Sequence, residues 1–152
     1  MEKPNLGDAA IFYLSEARKW AKFIAIISFI GIGMLVISGL VMGLVIDSLT
    51  SAAGQAPLPF SGSVFMVLYL LIAAVYFFPV YYLFRFSEAM GNALASGSEE
   101  VMTSAFGYLK SHYKFIGILM IVSMALGVLL VIGAILAGIF GVFNMPQQNN
   151  YF

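Results

Sequence analysis

The stretch FIAIISFIGIGMLVISGLVMGLVI, Phe23 to Ile46, decides how this chain is read, because it runs for 24 residues without a single charge. A helix rises about 1.5 Å per residue, so a run of this length exceeds the roughly 30 Å of hydrocarbon in a bilayer. Two more uncharged runs follow, Val64 to Phe84 with 21 residues and Phe115 to Phe143 with 29. Each is long enough to span, the third with tilt or with a turn left in the headgroups. The fold class expected is all-α, an integral membrane protein with three transmembrane helices. A cleaved signal peptide is the alternative for the first run, since SAAGQA after it is loosely like a cleavage site. Signal h-regions hold about 7 to 15 apolar residues, so a permanent anchor is the expected reading.

Composition agrees. Hydrophobic residues make up 62% of the chain and charged residues 9%, where soluble domains carry about a quarter charged. The formal net charge is zero, which gives no general pull toward nucleic acid. The chain has no cysteine, which excludes disulfides, thiolate metal sites and cysteine nucleophiles.

The placement of charge matters more than its sum. All seven basic residues fall in two segments. Lys3, Arg18, Lys19 and Lys22 precede the first run; Arg85, Lys110 and Lys114 lie between the second and third. The rule that basic loops stay inside then puts the amino terminus and residues 85–114 in the cytoplasm and the carboxyl terminus outside. The expected layout is one membrane domain, 1–152. It comprises a cytoplasmic amphipathic helix (1–22), a first span (23–46), an outer loop (47–63) and a second span (64–84). A cytoplasmic helical hairpin (85–114), a third span (115–143) and an outer tail (144–152) complete it. Trp20, Tyr81 and Tyr82 fall where a cytoplasmic aromatic belt belongs, Phe60 and Tyr151 where an outer one does.

The cytoplasmic segments are patterned. Ala10, Leu14, Ala17 and Ala21 form one apolar stripe, and Asp8 suits the start of that helix. Phe86, Ala89, Met90, Ala93 and Leu94 repeat at helical spacing until Ser96-Gly97-Ser98 forces a turn. Ser96 or Ser98 caps the next helix, Glu99 and Glu100 favour its first turn, and Val101, Met102, Ala105, Phe106 and Leu109 line its apolar face. A hairpin follows, with the amino-terminal helix either packed on it or flat on the headgroups. Packing is favoured, because these faces are alanine-rich and narrow. A weak parallel repeat relates Tyr13-Leu14 and Lys22-Phe23-Ile24-Ala25-Ile26 to Tyr108-Leu109 and Lys114-Phe115-Ile116-Gly117-Ile118. Chance likeness between apolar helices is the competing explanation.

The block Phe86-Ser87, Ala93-Leu94, Phe106, Leu109-Lys110, Tyr113-Lys114-Phe115 and Gly117-Ile118, with Trp20-Ala21-Lys22-Phe23 upstream, resembles a family of small multi-span bacterial membrane proteins of unknown function. The resemblance runs from about Tyr13 to the middle of the third span. It implies a bacterial cytoplasmic (inner) membrane protein and brings no activity, cofactor or catalytic residue with it.

Small residues give the candidate helix-packing positions. Gly39 and Gly43 form a GxxxG extended backward by Gly31, and Gly133, Ala137 and Gly141 recur every four residues in the third span. Tyr76 and Pro79 mark a candidate kink or groove, since proline removes a helix hydrogen bond. The spans contain no ionisable residue. Asp47 reads as the stop of the first apolar run rather than a cation contact. His112 lacks the neighbours that a zinc or acid–base site needs, so it reads as interfacial. No catalytic, cofactor or metal signature is present, and Ser61-Gly62-Ser63 and Ser96-Gly97-Ser98 lack the context of a nucleophile elbow.

The expected function is therefore non-enzymatic. The protein associates through its helices, as an accessory or scaffold subunit of a membrane assembly or as a homo-oligomer. Its partners would be lipids and other membrane subunits or itself, not nucleic acid. The alternative is a small homo-oligomeric channel or transporter lined by Ser28, Ser38, Ser123 and the tyrosines of the second span. A third, weaker reading is an interfacial enzyme or lipid-binding protein that uses His112 and the cytoplasmic hairpin.

Overall fold

A computed structural model describes residues 7–52 and 61–143, with side chains through residue 139. It contains three α-helices and, among the described residues, no strand: α1 Asp8–Ala52, α2 Gly62–Ser96 and α3 Glu99–Phe143. All three are long and apolar enough to cross a membrane. At about 1.5 Å per residue, α1 and α3 with 45 residues each and α2 with 35 outreach the hydrocarbon. Most of the surplus lies at the basic ends.

The chain divides into two compact units, Met1–Phe115 and Ile116–Phe152. In the first, α1 runs unbroken through Lys22, so the amphipathic segment and the first span form one rod. It also continues past Asp47 to Ala52, where an outer loop was expected. The hydroxyls of Ser48, Thr50 and Ser51 donate to the carbonyls of Leu44, Ile46 and Asp47, so polar residues are satisfied without leaving the helix. Helix α2 returns antiparallel to α1. Among the shielded positions of α1, one set recurs at three- and four-residue steps: Leu14, Arg18, Ala21, Ala25, Phe29, Ile32, Val36, Gly39, Gly43, Ile46 and Thr50. That spacing keeps one seam against a neighbouring helix along the whole rod.

At the basic end, α1 and α2 are joined by the first turns of α3. Ala21, Phe86, Met90 and Ala105 form the core there, with Leu14, Leu83, Leu94, Met102 and Leu109 against it. The amino-terminal part of α1 thus packs on the hairpin, as its narrow alanine face favoured. The seam is rotated from the expected stripe, however. Ala17 is exposed and Arg18 is turned half inward. On the hairpin, Phe106 likewise faces out and Tyr108 takes the shielded position.

The turn between α2 and α3 falls where Ser96-Gly97-Ser98 predicts it. Gly97 adopts φ 66°, and its amide donates to the Ala93 carbonyl at 2.9 Å, a left-handed helix stop that glycine enters without Cβ strain. The Ser98 hydroxyl then accepts from the Val101 amide at 3.4 Å, with Glu99 and Glu100 in the first turn of α3. The described residues of the second unit, taken by themselves, are the continuation of α3 as a single apolar helix.

Candidate functional site

Two features of the first unit have the geometry of a built site, a tight helix crossing and a basic cavity. At the crossing, Gly39 faces Tyr69, and no room exists for a Cβ between them. One turn on, a Cβ at Gly43 would come within 2.8 Å of the Gly62 carbonyl oxygen. The GxxxG pair therefore holds α1 against α2 of the same chain at backbone contact, which supplies the van der Waals attraction that lipid does not replace. Gly62, which the sequence offered only as part of a turn, is the third member, and its missing side chain makes room for Gly43 and Asp47.

Asp47 completes the crossing. Its Oδ1 accepts from the Gly62 amide at 2.8 Å, while Ser61, the residue preceding α2, makes no side-chain capping bond. A carboxylate from α1 thus caps α2, where the helix dipole favours a negative charge. Its distance of 15 residues in sequence hid this role.

The other expected positions are placed as follows. Gly31 has nothing within 4 Å of a built Cβ. Gly133 and Ala137 lie in the second unit, whose described residues belong to α3 alone. The surroundings of Gly141 lie outside the described residues. Tyr76 is exposed, whereas Pro79 is buried within an unbroken α2. The Pro79 carbonyl lies 2.7 Å from His112 Nδ1. A carbonyl only accepts, so Nδ1 carries the proton and donates, tying α3 to α2. His112 is thus a strut, and Phe78 and Phe115 meet beside it at 6.0 Å between ring centroids. Phe29 meets both Phe77 and Phe84, which extends the aromatic packing between α1 and α2.

The cavity opens at the basic end among α1, α2 and α3, with a volume of about 600 Å³. Arg18, Lys19, Lys22, Arg85, Glu88 and Tyr108 supply its charged and aromatic lining. Arg85 stands 5.4 Å from the centroid of the Tyr108 ring and donates to its hydroxyl at 3.4 Å. Lys22 Nζ lies 5.9 Å from the centre of the Phe84 ring. Sequence reasoning treated these cations as topology markers and missed their convergence. The available signal was spacing, for Arg18 falls three residues before buried Ala21 and four after Leu14, on the packed seam. Among the described residues, no three histidine, aspartate or glutamate side chains gather as a metal site would require.

Fold and site together define a helical membrane protein with three spans. Residues 63–136, which run from α2 through the turn into the third span, match a family of unknown function (DUF5362). The upstream block from Trp20 to Phe23 lies outside that match. No curated protein and no solved structure matches the chain.

Proposed function

We propose that this is a non-enzymatic, multi-pass protein of a bacterial cytoplasmic membrane that works by helix–helix association, as an accessory subunit of a larger assembly or as a homo-oligomer. The observation that carries the reading is the contrast between the two units. In the first, the glycines at 39, 43 and 62 are consumed in holding α1 to α2. The described residues of the second form one apolar helix, on which Gly133 and Ala137 stand four residues apart. A helix of that kind is suited to lipid or to another helix, and small residues at that spacing admit a neighbouring backbone. The basic residues on residues 7–22 and 85–114 favour a cytoplasmic location for the three-helix end.

Mass measurement of the protein in mild detergent tests association. The expected result is a discrete oligomer or a co-purifying membrane subunit, reduced to the single chain by Gly133→Leu with Ala137→Leu. A lone chain that retains its cellular role would sink the proposal. Orientation is read separately by single-cysteine labelling, which the cysteine-free sequence permits. Ser98→Cys should react only with reagent that reaches the cytoplasm.

A further inference from the structure

The cavity at the basic end is electrostatically unfinished. Its lining sets four cations, Arg18, Lys19, Lys22 and Arg85, against one carboxylate, Glu88, a surplus of three positive charges in about 600 Å³. Small-ligand sites occupy about 300 to 1,000 Å³. The one ion pair in the lining among the described residues, Arg85 to Glu88, is 3.7 Å long with side chains 45% and 42% exposed. A pair so open to solvent contributes little and leaves Arg85 available.

Arg18 supplies the more telling observation. Its Nε is buried and, among the described residues, has no hydrogen-bond partner, and its guanidinium lies so close over Gly91 that a Cβ there would come within 2.5 Å of Nη1. A shielded guanidinium donor without an acceptor is costly, and Arg18 as a whole is only partly shielded and lines the cavity, so an anion entering there would offset its uncompensated charge. Guanidinium forks match phosphate oxygens with paired, charge-assisted hydrogen bonds. Lys22 and Arg85, held by the Phe84 and Tyr108 rings, are placed to add charge to the same anion.

Depth fits as well. Lys22 is the last residue before the first apolar run and Arg85 the first after the second, so the cavity lies where hydrocarbon gives way to headgroups. Basic pockets between membrane helices at that level bind anionic headgroups. We infer that the cavity bounded by Arg18, Lys22, Arg85 and Tyr108 is a binding site for a phosphate-bearing anion, either the headgroup of an anionic phospholipid or a soluble phosphate. The site lies within the first unit, so it does not depend on what α3 associates with. A single chain that binds phosphate and retains its cellular role would end the association proposal and leave this one standing.

The test uses the full chain in an uncharged detergent, with binding followed by native mass spectrometry and by titration. The ligands are short-chain phosphatidylglycerol, short-chain phosphatidylcholine and inorganic phosphate. One equivalent of phosphatidylglycerol should bind, about tenfold or more tighter than phosphatidylcholine. Arg18→Gln and Lys22→Gln should each weaken it by about tenfold, the factor carried by one charge-assisted hydrogen bond. Lys110→Gln, an exposed cation outside the cavity, should bind as the parent does. If inorganic phosphate binds as tightly and is lost in the same variants, the site stands and its ligand is the soluble anion. Binding of neither anion, equal binding of both lipids, or equal loss in Lys110→Gln overturns the inference. Lys22 is exposed, so Lys22→Gln remains decisive should Arg18→Gln fail to fold.

Discussion

Replacing Gly39 and Gly43 by alanine should separate α1 from α2, and the structure sets the size of the effect. A Cβ at Gly39 would overlap the Cβ of Tyr69 and lie 2.9 Å from its Cγ, while one at Gly43 would lie 2.8 Å from the Gly62 carbonyl oxygen. Ordinary contact begins at 3.4 Å, so the helices must part by about 0.6 Å at Gly43 and by more at Gly39. Neither obstructing group is the free end of a flexible side chain, so no rotamer relieves the overlap. Overpacking of this kind costs about 1–3 kcal/mol per site. Alanine returns about 0.8–1 kcal/mol per site in helix propensity. The sites are one turn apart and share one relaxation, so their costs do not simply add. The double variant should lose about 2 kcal/mol. The assay is reversible unfolding in mixed micelles of rising dodecyl sulfate content, followed by circular dichroism. The control is Gly31→Ala with Gly33→Ala, where nothing lies within 4 Å of the new Cβ atoms. There only the propensity gain remains, so that pair should be as stable as the parent or more so. Equal stability of the two double variants would refute the assignment of this crossing to the glycines.

The other expectations concern the ends of the rods. Asp47→Ala should cost about 0.5–2 kcal/mol by removing the cap of α2, with faster amide exchange at Gly62, whereas Asp47→Asn keeps an acceptor and most of the protection. Met90 is fully buried in the three-helix core, so Met90→Ala should cost about 2–5 kcal/mol, read as a lower Tm and as proteolysis within 85–114. Gly97→Ala forces a Cβ into the left-handed conformation and should cost about 1–2 kcal/mol, measured by the same melt.

The helical hairpin illustrates how much was legible without coordinates. Ser96-Gly97-Ser98 predicts the turn because glycine and two capping serines are local instructions, and the spacing of Phe86, Met90 and Ala93 predicts their burial because helical periodicity is local too. The functional geometry was harder to read. Arg18 belongs to the packed seam, but its charge marks it as a surface residue, and only the space over Gly91 lets it turn inward. Asp47 looks like the end of an apolar run until Gly62 is brought to it across the crossing. His112 looks interfacial until the Pro79 carbonyl, 33 residues away, accepts its hydrogen bond.

The sequence by itself determined three spans, the clustering of every basic residue in two segments and the place of the hairpin turn. These follow from length, hydropathy and local conformational preference, each a property of contiguous residues. The tertiary structure alone decided that Gly39 and Gly43 close on Gly62, that Asp47 caps a helix it does not belong to, and that Arg18, Lys22 and Arg85 converge on one cavity. Those are contacts between residues far apart in the chain, and their register depends on how two long helices settle side by side, which no local pattern encodes.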